Sequence, residues 1–183
     1  MRELSLNILD VAQNSISAGA KLVEIKVSES SQRNTLLIQI NDDGCGMDEE
    51  TLRNVQDPFF TTRTTRKVGT GIPLFKMAAE MTGGEFSIDS AVGKGTRVSA
   101  LFRTDHVDFT PLGDIDSTVV TLVTMNTQID FAYTLKVDGN EFTLSTRQLK
   151  ELLGDVPLDM PEVVMWIKDY LKEQTQIIRG GVV

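Results

Sequence analysis

The stretch ELSLNILDVAQNSISAGA, residues 3–20, decides the reading of this chain. Glu3, Asn7, Asp10, Asn14 and Ser17 recur at spacings of four, three, four and three, which sets all five on one face of a helix over 3–17. Leu4, Ile8, Leu9, Val11, Ala12 and Ile16 cover the rest of its surface. Taken alone, such a stripe is the wet side of an amphipathic helix. Its composition allows more. An amide oxygen one turn beyond a carboxylate suits Mg²⁺, a hard cation that takes oxygen ligands. The carboxylate can orient a water, or a partner's hydroxyl or imidazole, for attack on a γ-phosphate. Glu3/Asn7 and Asp10/Asn14 offer the same spacing; the second pair is preferred because it lies nearer the next strand and the AGAK turn.

Working outward, KLVEIKV (21–27) alternates apolar and charged residues and predicts a strand, as does TLLIQIN (35–41) across the polar turn SESSQRN. MDEETLRNV (47–55) carries acids in its first turn and predicts a short helix. IPLFKMAAEM (72–81) predicts another, opened by Pro73 and stopped by Gly83-Gly84. EFSIDSA (85–91) and TRVSALF (96–102) predict two strands around the glycine turn VGKG. A boundary falls near 104, where TDHVDFTPLGD reads as a linker whose Asp114 caps a helix over 115–125. Beyond it the sequence predicts a hairpin over 130–146 turning at Asp138-Gly139-Asn140, and a helix from Ser145 or Thr146 to Gly154. A last helix over 161–174 is expected to bury Val164, Trp166, Ile167 and Leu171.

Three further segments carry chemistry. NDDGCGM (41–47) follows a strand directly, so the Asp42 carboxylate stands where it can accept the exocyclic amino hydrogen of adenine. Gly44 and Gly46 allow a tight turn and close approach to a flat base, and Met47 is a candidate to pack on it or, equally, on the core. PFFTTRTTRKVGTG (58–71) is hydroxyl-rich and cationic: Phe59 and Phe60 anchor its entry, and Thr61, Thr62 and Arg63 face phosphates. Backbone amides at Gly69, Thr70 and Gly71 add donors at the start of the following helix. GKGT (93–96) supplies a turn beneath the base. His106, the single histidine, sits in the linker with no acid-flanked helical context and is read as a surface residue.

Composition bounds the remainder. Apolar residues make up 40% and charged residues 24%, ordinary for a globular domain of this length. The N-terminus lacks a basic-then-apolar leader pattern and the lone Cys45 has no internal disulfide partner, so a cytoplasmic protein is expected. Residues 104–183 hold 6 basic and 13 acidic groups, a balance that repels phosphate backbones and argues against nucleic-acid binding.

With these four segments in view, residues 3 to about 102 resemble the GHKL ATPase superfamily of histidine-kinase catalytic domains, DNA gyrase, MutL-type repair proteins and ATP-driven chaperones. The resemblance implies a two-layer α/β sandwich with helices on one face of a mixed sheet, carrying a small acidic α+β extension over 104–183. It implies ATP and Mg²⁺ as ligands. Asn14 would sit on the metal, Asp42 on adenine, Gly44 and Gly46 around the base, Thr96 near Asp42, and the 57–71 loop over the phosphates. DVAQNSISAGAKLVEIKV is similar to the MutL form of the first motif, PFFTTR with GTG to the histidine-kinase form of the lid. Asp10 stands where hydrolysing members carry Glu, Asp43 replaces the usual Asn, and Pro73 replaces a Gly. The whole chain resembles compact histidine-kinase-like or anti-sigma-factor-like ATP-binding proteins. A regulatory kinase acting on a separate protein partner is the leading expectation. The alternatives are a conformational ATPase and an ATP sensor; a homodimer is left open, and neither membrane nor nucleic acid is expected as a partner.

Overall fold

A computed structural model of the protein describes residues 3–59 and 71–180. In chain order the elements are α1 (Leu4–Ser17), β1 (Leu22–Ser30), β2 (Thr35–Asp42), α2 (Glu49–Val55), α3 (Gly71–Met81), β3 (Glu85–Ala91) and β4 (Gly95–Arg103). They continue with α4 (Ile115–Met125), β5 (Asp130–Val137), β6 (Asn140–Ser145), α5 (Thr146–Leu153) and α6 (Pro161–Ile178). The strands form one mixed sheet in the order β3-β4-β2-β1-β5-β6, antiparallel throughout except where β5 runs parallel to β1.

Period-two alternation gives that sheet one apolar face. Val23, Ile25 and Val27 of β1, Leu36, Ile38 and Ile40 of β2, and Val98, Ala100 and Phe102 of β4 are all buried. Their neighbours Glu24, Lys26 and Arg97 are exposed. Because the helices cover the first set, the result is a two-layer α/β sandwich with helices on one face of a mixed sheet. Phe75 of α3 seats its ring between Phe86 (6.3 Å, edge-on) and Phe102 (5.7 Å, tilted). Residues 104–180 continue the same sheet through β5 and β6 and the same helix layer through α4 and α6.

The linker does structural work at the start of the chain. Leu4 and Ser5, whose N–H groups have no partner within α1, donate to the carbonyls of Pro111 and Leu112, each at 2.8 Å. The Glu3 carboxylate accepts from Ser5 Oγ at 2.5 Å and from the Asp114 N–H at 3.4 Å. Asp114 caps α4 as the sequence predicts, accepting from Ser117 N–H at 3.1 Å. The 138–139 turn has both residues at positive φ, 49° and 93°, the twist that a two-residue hairpin needs.

Four expectations are corrected. Asn7 is not on the open face: it is 3% exposed, because α1 is flanked by both α3 and α4. The second helix starts at Glu49, not Met47, since Asp48 caps it by accepting from Thr51 N–H at 2.8 Å. Trp166 is 50% exposed; the buried stripe of α6 is Val163, Ile167, Leu171 and Ile178, with Val164 only partly buried. Phe59 is 87% exposed and does not anchor its loop, its N–H being held instead by the Asp57 carboxylate at 2.9 Å. Among the described residues no helix is long and apolar enough to cross a membrane.

Candidate functional site

Strand parity decides what can meet at the end of β2. Ile38 and Ile40 point to the helix layer, so Asp42 points there too, while Asn41 and Asp43 point away. Asp42 pairs in register with Thr96 of β4, which brings the second and fourth sequence motifs side by side. From above, Ser15 of α1 donates its hydroxyl to Asp42 Oδ2 at 2.6 Å, and the Gly44 N–H donates to Oδ1 at 2.8 Å. Each carboxylate oxygen thus has one fixed donor and a free lone pair. The group is aimed before any ligand arrives. Asn14, the neighbour of Ser15, is half-buried on the same helix.

The surrounding turns are tied by backbone contacts. Cys45 N–H donates to the Ala18 carbonyl at 2.9 Å, and the Cys45 carbonyl accepts from Gly93 N–H at 2.7 Å, so this residue joins the end of α1 to the VGKG turn. Gly46 has φ +71°, and a Cβ there would lie 1.9 Å from the Ala91 carbonyl oxygen; no other residue fits. The Met47 N–H donates to Ser90 Oγ at 2.9 Å, and Ser90 Oγ lies 2.8 Å from Thr96 Oγ1. Asp43, the departure from the usual Asn, accepts from Lys21 N–H at 2.7 Å and Leu22 N–H at 3.0 Å. The Leu22 N–H above all, with that of Lys21, holds its carboxyl below the ordinary range. It closes the turn into β1.

Asp10 lies one turn of helix before Asn14, where α1 meets α3. Gly71 approaches it closely: a Cβ on Gly71 would stand 3.1 Å from Asp10 Cβ. The Asp10 side chain is exposed, yet the packing around it removes enough water to push its carboxyl above the ordinary range. The competing pair is disposed differently, for Glu3 is engaged by Ser5 and Asp114 and Asn7 is buried. Phe60, Thr61, Thr62, Arg63, Gly69 and Thr70 lie outside the described residues.

Among the described residues no three His, Cys, Asp or Glu side chains converge on a metal position. That donor set still fits Mg²⁺ held by a nucleotide, which takes most of its ligands from phosphates and water and needs one protein oxygen; Asn14 carries such an amide. A cleft of 420 Å³ also reaches Asp42, Gly95 and Thr96, but Glu24, Asn41 and Arg97 in its wall belong to the helix-free face of the sheet. It approaches the carboxylate from behind. Ser15 and Ser90 were not singled out from the sequence. Ser15 meets Asp42 only across 27 residues of chain, and no local spacing signals that meeting.

The chain is 31% identical over 109 residues to a candidate sensor protein of Shewanella frigidimarina, covering 59% of this chain and 16% of that protein. It is 32% identical over 97 residues to sporulation kinase E of Bacillus subtilis, covering 52% of this chain and 13% of the kinase. The chain therefore spans a small fraction of these relatives' length. Among solved structures, the ADP-complexed MutL ATPase domain of Aquifex aeolicus shares the fold, with a TM-score of 0.52 at 16% identity over 84% of this chain and 69% of that one. The family model for histidine kinase-, DNA gyrase B- and HSP90-like ATPases matches residues 1–106, more than half of the chain. By that match the protein belongs to the histidine kinase-, DNA gyrase B- and HSP90-like ATPase family.

Proposed function

We propose that this ATP-binding domain holds Mg-ATP between Asp42 and Asn14 and serves as a regulatory kinase for a separate protein. The observation that carries the reading is the Asp42 carboxylate, held by Ser15 and Gly44 with lone pairs free. An adenine amino group can donate to it; guanine presents a carbonyl oxygen there and is repelled. In this reading Thr96 and the turn around Gly44 and Gly46 flank the base, with Met47 against it. Asn14 offers its amide oxygen to Mg²⁺, which when bound neutralises phosphate charge.

Asp10 is the residue proposed to orient the attacking group. Its raised pKa suits a base more than an ordinary surface carboxylate would. Gly71, against Asp10, opens α3 and directs helix N–H groups to the same region, where Gly69, Thr70, Phe60, Thr61, Thr62 and Arg63 are proposed to close over the phosphates. Similarity to sporulation kinases supports phosphoryl transfer over hydrolysis.

The test is incubation with γ-labelled ATP and host lysate beside an Asp10→Ala control. Label on a protein above the control is expected. Free phosphate without labelled protein would replace the kinase reading with a conformational ATPase, and neither product would leave an ATP-sensing switch.

A further inference from the structure

Residues 107–183 lie beyond the family match, and among the described residues there most of the exposed large apolar side chains fall between Leu152 and Ile177, on α5, α6 and the turn joining them. Between these two helices runs a groove of 310 Å³, floored by Leu149 and Val163 and walled by Leu152, Leu153, Val156 and Trp166. Leu152 is 84% exposed and Trp166 50%, although both belong to helices whose opposite sides reach the core. Trp166 is stacked on Tyr170 at 5.0 Å and 9°, so the indole is held in place as one wall. Met160, at the mouth, adds an unbranched side chain that adapts to a guest. Apart from Glu162, every residue lining the groove is apolar.

We propose that the α5–α6 groove is a docking site for a basic amphipathic helix of a partner protein. Two observations choose that occupant. The groove lies between two helices, the shape into which the apolar ridge of a third helix fits. The charge nearby has one sign: Glu162 is the charged residue lining the groove, and from Glu151 to Ile167 the chain has Glu151, Asp155, Asp159 and Glu162, all exposed, and no Lys or Arg. Lys150, next to Leu149 in the chain, is engaged by Asp130 at 2.9 Å. A helix with Leu-like residues along one edge and Lys or Arg beside them matches both features. A second copy would set acidic segment against acidic segment, and an anionic lipid surface would be repelled by the same charges.

Trp166 is the single tryptophan of the chain, so its emission reports the groove directly. The probes are a synthetic amphipathic helix of Leu and Lys and its counterpart of Leu and Glu, titrated into the full chain. The Leu/Lys helix is expected to shift Trp166 emission to the blue, saturably and less tightly at high salt, while the Leu/Glu helix leaves it unchanged. Leu152→Asn and Val156→Asn, with circular dichroism confirming an unaltered fold, each weaken the Leu/Lys helix by about tenfold. Equal responses to the two helices would overturn the proposal, as would affinity unchanged in both variants. A peptide-free emission shift that grows with protein concentration, together with a dimer in sedimentation, would assign the groove to a second copy and overturn it as well.

Discussion

At the scale of single residues, the account rests on how one carboxylate is held. Ser15 supplies one of the two donors to Asp42, and removing it leaves the other in place. Ser15→Ala should therefore weaken ATP by about 2- to 12-fold, the worth of one ordinary hydrogen bond, with the fold intact; calorimetry that finds no change would make Ser15 a packing residue only. Asp10→Asn should keep ATP affinity and lose phosphoryl transfer. With a raised pKa in Asp10, transfer in the wild type falls as pH drops through a value above the ordinary carboxylate range, while ATP affinity in the wild type and the variant shows no such limb. Asp43 titrates the other way. Its lowered pKa contributes stability that is complete above the unfolded carboxylate's pKa and is lost as pH falls through the folded value. Asp43→Asn should shrink the acid limb of a stability-versus-pH curve, because an amide oxygen keeps both N–H partners without titrating. Much of this was legible in the sequence: the strand-end position of Asp42 and the glycines around it come from local pattern. The Ser15 contact and the burial of Asn7 were not, because each depends on a tertiary neighbour that helical periodicity does not name.

At the scale of elements, helix and strand types followed from periodicity and caps, and the errors sit where a choice between faces was close. On α6, Val163 and Val164 are adjacent and either could lead the apolar stripe; packing on the sheet selected Val163, with Ile167 and Leu171 one turn apart after it. That selection turned Trp166 outward. α3 is fixed by Phe75, which is fully buried against Phe86 and Phe102. Phe75→Ala should cost about 3–5 kcal/mol in denaturant unfolding, since the site is bounded by two rings that cannot both collapse inward. A loss below about 1 kcal/mol would mean that α3 repacks freely and does not hold its N-terminus against Asp10.

At the scale of the molecule, one sheet runs from β3 to β6 and one helix layer covers it. The sequence suggested a boundary near residue 104 from its composition and the linker's turn residues, but it could not show that β5 would lie parallel to β1. That pairing is long-range and leaves no local mark. A single cooperative thermal transition for the whole chain is therefore expected; two separated transitions would mean that residues 104–183 fold on their own. The same sheet brings the far-apart motifs around residues 14, 42 and 96 to one end of the molecule, and the central claim is that they meet there on one nucleotide. Calorimetric titration with a non-hydrolysable ATP analogue and Mg²⁺ tests it most directly, run on the wild type and on Asp42→Asn. The account predicts one saturable site that the substitution weakens by about 1.5–3 kcal/mol, or roughly 10- to 150-fold. Equal affinity in the two proteins, or no heat of binding in either, would contradict it.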